Sequence, residues 1–192
     1  MNLTTAQKIT LRTNIVTLSA PGQPLEGMPE VENWAGIIAY YNTAPTPAVY
    51  CWNPQTPISD LFDAIDYTAF TPNDSTSDTT QVYNNRAQAI LIKQAVLQVI
   101  LTNKDFVNMA KANIRAGLKD ATTSLPSGNS GANRSATGTN GINLLNAGLK
   151  ALNRVEAFFA TTTETTGAVT ASIRVVQGTL TEQNVSDIWN NL

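Results

Sequence analysis

Lys111, Arg115 and Lys119 recur at i, i+4 and i+8 in a stretch with helical periodicity, a spacing that aligns three cations on one helix face. Such a stripe can meet the phosphates of a nucleic acid or an acidic neighbouring surface, and phosphate contacts of this kind are blind to sequence and weakened by salt. A solvated helix face carries the same pattern. Little else in the chain is equipped for reaction. There is no histidine, which excludes an imidazole general base or triad, and the single cysteine, Cys51, lies in the apolar run Val49-Tyr50-Cys51-Trp52, where it reads as a small buried hydrophobe. A zinc site would need carboxylates plus that one thiol. Asp74 and Asp78 share a polar loop, without the glycine-centred turn and terminal glutamate of a calcium loop. Glycines 128, 131, 138 and 141 belong to a polar linker, and no phosphate-binding loop is present. The residues point to a protein that is not an enzyme and uses no cofactor or metal.

Positioning the stripe requires a helical hairpin. From Ile90 to Leu101 only Lys93, Gln94 and Gln98 interrupt an apolar run that covers nearly the whole helical circumference, which predicts a central helix buried on several sides. Asp105 is a plausible cap for the next helix, with Val107, Ala110, Ile114, Ala116 and Leu118 facing inward. Upstream, Thr4 or Thr5 caps a helix through about Leu18, and Ala20-Pro21-Gly22 ends it. Val31 to Tyr41 forms a second helix with Trp34, Ile37, Ile38 and Tyr41 on one side. Ala48 to Trp52 reads as a short extended segment or edge strand after a proline-fixed link, and Pro57 opens a helix through Tyr67 with Leu61, Phe62 and Ile65 inward. Thr79 or Thr80 can cap the central helix. Residues 126–141 form a long Gly/Ser/Asn/Thr loop, flexible or ordered by a partner, and 142–160 a helix with a broad apolar face.

The chain's end has a different texture. Val169, Ala171, Ile173 and Val175 alternate toward one side as in a strand, and Gly178 ends the segment. A helix from Thr181 then places Val185, Ile188, Trp189 and Leu192 at i, i+3, i+4 and i+7. A lone strand must pair with an edge, either the Val49 segment or another subunit. The expected fold class is mainly α: a helical bundle around a central buried helix, with one or two short β-strands and a C-terminal arm. Residues 1–160 form the core domain and 161–192 a docking arm, whose Ile173, Val175, Val185, Ile188 and Trp189 would meet a partner subunit.

Charge is uneven along the 192 residues. Residues 1–80 hold two basic and eight acidic side chains, 81–154 nine and two, and 155–192 one and four, giving block charges of −6, +7 and −3 within a total of −2. A positive middle between negative ends suits stacking subunits or a DNA passage, though solvated faces produce it equally. No run of about eighteen apolar residues occurs and no signal sequence opens the chain, so neither a membrane span nor secretion is expected.

Five stretches resemble their counterparts in a family of small virion structural proteins of tailed bacteriophages. They are Leu3-Thr4-Thr5-Ala6-Gln7; Ala39-Tyr40-Tyr41-Asn42 with the Pro-x-Pro segment after it; Lys111 to Leu118; Arg154 to Thr161; and Gly178-Thr179-Leu180-Thr181. The chain departs from that family at Asn53 and Ala157, where basic residues are usual. The resemblance implies no activity. It implies a head-to-tail connector, or adaptor, located in the neck or tail region of the virion and made in the host cytoplasm. As a homo-oligomer of about twelve copies, it would form a ring between portal protein and tail proteins and contact double-stranded DNA non-specifically during genome packaging. The alternative expectation is a capsid decoration or tail-tip accessory protein that binds through loop 126–141.

Overall fold

The computed structural model describes residues 1–29, 31–70, 80–122, 136–160 and 162–190; for 68–69, 80–87 and 136–140 it describes the backbone alone. Among these, the helices are α1 (Thr5–Leu18), α2 (Trp34–Asn42), α3 (Ile58–Asp63), α4 (Thr80–Leu101), α5 (Ala112–Thr122), α6 (Ala136–Ala147), α7 (Arg154–Phe159) and α8 (Glu182–Asn190). The strands are β1 (Tyr50–Trp52), β2 (Thr56–Pro57), β3 (Phe106–Val107), β4 (Leu149–Ala151), β5 (Thr163–Thr166) and β6 (Val169–Ser172). The protein is mainly α, with a small mixed sheet of strand order β4-β1-β6-β5 and a separate β2-β3 pair. β1 therefore has a neighbour on each side and is not the edge strand its length suggested. It runs parallel to β6, with Cys51 opposite Ser172.

The chain divides into two compact units, and the division does not fall after residue 160. The first comprises Met1–Cys51, Ala151–Thr163 and Ser172–Leu192; the second comprises Trp52–Lys150 and Glu164–Ala171. In the first unit, α1, α2, α7 and α8 pack around Leu11, Ile15, Leu25, Ile37, Tyr41, Val155, Leu180, Val185 and Ile188. Local chemistry starts these helices. Thr4 and Gln7 form a capping box on α1, Asn33 Oδ1 accepts the Gly36 amide at 3.0 Å, and Asn153 and Glu156 form a second capping box on α7.

In the second unit, α5 packs against both α4 and α6 over a core that includes Leu97, Leu101, Met109, Leu118, Leu144 and Leu145. Three expectations are corrected here. Residues 142–160 are not one helix: Gly148 ends α6, and β4 follows before Asn153 starts α7. A Cβ on Gly148 would lie 2.5 Å from the Met109 side chain, so only glycine permits this close approach. Asp105 does not cap a helix, because Phe106 and Val107 pair with β2 instead and α5 begins at Ala112. Residues 136–141 are helical, and the rest of the expected 126–141 loop lies outside the described residues, as do Asp74, Asp78 and the Thr79 cap.

The central helix exists but is not a buried spine. Ile90, Leu97 and Leu101 reach the core, while Leu91, Ile92, Val96 and Val99 are exposed. The helix of the Pro57 segment is short, and its Phe62 is exposed rather than inward.

Candidate interaction surface

Arg115 leaves the proposed basic stripe. α5 starts after Lys111, whose carbonyl accepts the Arg115 amide, and the following turn directs Arg115 into the second unit, where it is 1% exposed. Its guanidinium donates to the Met109 carbonyl at 2.7 Å, to Thr166 Oγ1 at 2.9 Å and to Glu164 Oε2 at 2.5 Å, and its Cζ lies 4.4 Å from the Trp52 ring centroid. The three donors and the planar face are all used, which makes Arg115 a fastener between α5 and β5. Of the other two, Lys111 is exposed and Lys119 is half-buried with its stem against Gly167. One exposed cation is not a stripe.

The docking residues are divided as well. Val185 and Ile188 are wholly buried in the first unit's own core, and Trp189 packs on that core with its ring 5.6 Å from Trp34 and under the Arg12 guanidinium. Ile173 and Val175, beyond the end of β6, are exposed. Thus α8 completes the monomer, and the docking-arm expectation is withdrawn for Val185, Ile188 and Trp189. The amphipathic pattern demanded burial of one face without specifying which surface would cover it.

The resemblance motifs acquire a physical meaning. Asn42 pairs with the backbone of Leu180 in both directions, at 2.9 and 2.7 Å. Arg154 donates to the Tyr40 carbonyl at 3.0 Å and to Thr43, and stacks on the Tyr40 ring. Glu156 Oε1 accepts the Gly178 amide at 2.8 Å and faces Arg174 at 3.6 Å, while Asn153 Nδ2 reaches the Gly178 carbonyl. Gly178 has φ +108, a conformation that disfavours any side chain. Three of the five stretches thus fasten the first unit, the Leu3–Gln7 stretch caps α1, and the Lys111–Leu118 stretch, through Arg115, fastens the second.

Tyr41 belongs to the same unit, 1% exposed, with its hydroxyl donating to Asn14 Oδ1 at 2.5 Å. Burial first, and neighbouring Tyr40 second, hold its pKa well above the ordinary 10.0. The folded chain therefore keeps a proton that the unfolded chain releases above 10.0, so this group's contribution is full below that pH and is lost as pH rises beyond it. Wild type is expected to lose up to about 1.4 kcal/mol per pH unit more than Tyr41→Phe in denaturant titrations between about pH 9 and 11.5. Parallel curves for the two proteins would contradict this.

One outward face is apolar. α4 presents Leu91, Ile92, Ala95, Val96 and Val99, with Val99 78% exposed, and a shallow depression follows Ile92, Ala95, Val96, Val99 and Ile100. On the other side of α4 a cleft of about 370 Å³ is lined by Phe62, Tyr67, Phe70, Gln94, Leu97, Gln98, Leu101 and Thr102. Among the described residues, no group of three or more His, Cys, Asp or Glu side chains could hold a metal, and no helix is long and apolar enough to cross a membrane. No family model, curated protein or solved structure matches the chain.

Proposed function

We propose that this chain is a structural subunit of a tailed-phage virion, a head-to-tail adaptor in an oligomeric ring between portal and tail. The observation that carries the reading is the exposed apolar face of α4, because a contiguous apolar patch on an otherwise well-packed chain marks a surface for another protein. The sequence supports it with motifs that resemble those of such virion proteins, four of which make long-range contacts in the fold and the fifth of which caps α1. A chain without histidine, whose strongest polar groups are spent on internal clamps, suits assembly better than chemistry.

DNA contact is the less supported part of the proposal, since burial of Arg115 removes the middle cation of its expected binding face. Copy number separates the readings. Quantitative mass spectrometry of purified virions, referenced to the portal protein, is expected to return about twelve copies, the number the resemblance implies for the ring. Hundreds of copies would mean capsid decoration, and absence from the particle would overturn the virion assignment.

A further inference from the structure

Along α4 (Thr80–Leu101) the outward residues from Gln88 on are Gln88, Leu91, Ile92, Ala95, Val96, Gln98 and Val99, and the apolar stripe Ile92, Ala95, Val96, Val99 is symmetric about the midpoint between Ala95 and Val96. Two copies of the helix laid antiparallel on a two-fold axis at that midpoint would set Ile92 against Val99 and Ala95 against Val96. Branched apolar side chains meet branched ones, and the small Ala95 lies at the crossing. We propose that α4 is the contact through which two copies of this chain pair.

Charge and area both favour a second copy. The only charged residue from Gln88 to Asn103 is Lys93, whose ammonium is turned away to the Asp120 carbonyl at 2.5 Å. The face therefore offers nothing to phosphate or to an acidic partner. From the exposed fractions of Leu91, Ile92, Val96 and Val99, it presents roughly 400 Å² of mostly apolar surface. At the apolar share usual for homodimer contacts, this corresponds to about 600 Å² per copy and about 1,200 Å² in total, the lower end of specific interfaces. Area does not set affinity, and contacts of this size include weak, transient pairs.

The inference uses the same α4 face as the virion reading but commits that face to a second copy of this chain, a claim tested apart from location in a virion. A ring generated by rotation alone joins unlike faces, so a two-fold pair is a state of the free chain or a contact between two rings. Sedimentation equilibrium of the full chain from about 1 to 200 µM is expected to show a monomer–dimer equilibrium. Val99→Glu, at an exposed position where the fold tolerates charge, is expected to raise the dissociation constant about a hundredfold by burying an unpaired carboxylate against Ile92 of the partner copy. Ile92→Lys is expected to do the same. Because the antiparallel register places 92 opposite 99, the double variant Ile92→Lys/Val99→Glu is expected to recover at least about tenfold of that loss. Circular dichroism of each variant verifies folding. A wild-type chain that stays monomeric throughout, a dimer indifferent to Val99→Glu, or no recovery in the double variant would each overturn the proposal. None of these results bears on where the protein resides in a virion, which copy number tests.

Discussion

Deleting residues 178–192 is expected to unfold the first unit rather than merely free a surface. The deletion removes Leu180, Val185 and Ile188, all essentially inaccessible to solvent, together with both Asn42 bonds to Leu180 and the Gly178 amide that Glu156 accepts. Full burial of such side chains is worth about 1.5–3 kcal/mol each, so about 6 kcal/mol is lost before the hydrogen bonds are considered. That is comparable with the whole stability of an ordinary domain, about 5–15 kcal/mol. The truncation also leaves Glu156 and Arg174 buried beside each other with the Gly178 donor gone. A milder probe, Ile188→Ala, is expected to cost about 3 kcal/mol and to leave a folded chain with an earlier urea midpoint. A truncated protein that melts within about 2 °C of the full chain would show that α8 contributes little to the monomer and would restore it as an arm.

Arg115→Ala is expected to destabilise the second unit by about 3 kcal/mol, more than any exposed lysine substitution in the chain. The loss has three parts: the Met109 carbonyl and Thr166 hydroxyl lose their donor, the Trp52 ring loses the cation over its face, and a cavity opens beneath α5. Glu164 is less damaged by the change, because its side chain is 40% exposed and water can replace the guanidinium. Removing Glu164 instead strands a cation that is 1% exposed, so Glu164→Ala is expected to cost about 2 kcal/mol despite its own exposure. The pair in a double-mutant cycle should show a coupling of about 1–2 kcal/mol. Arg115→Lys keeps the charge but loses the planar fork and should recover less than half of the Ala variant's loss. A cost below about 1 kcal/mol for Arg115→Ala would contradict the fastening role and return Arg115 to the surface stripe.

Elements with their own start signal and a single apolar stripe were legible from the chain alone. Thr4 or Thr5 marked the start of α1, of which Thr4 is the cap that forms, and the Ile37/Tyr41 and Val185/Ile188 spacings determined which sides of α2 and α8 are buried. These depend on residues three or four positions apart, which local geometry brings together whatever the rest of the chain does. β5 is partly visible too, since Thr163, Thr165 and Thr166 are β-branched residues before a glycine turn.

The tertiary structure decided everything that depends on a distant partner. Residues 90–101 are apolar on almost every side, so no periodicity distinguishes the Leu97/Leu101 face that packs on the core from the Ile92/Val99 face left outside. Only the number of elements that actually pack on α4 settles it. Arg115 has the i, i+4 spacing of a surface stripe, and its burial depends on Glu164 and Thr166, 49 and 51 residues away, being carried beside it by β5. Likewise, the break of 142–160 into α6, β4 and α7 follows from the pairing of β4 with β1 and the approach of Met109 to Gly148. A pattern of side chains states what must be covered or paired. Which residues supply the cover is a matter of long-range contacts, and those are formed only when the chain has folded.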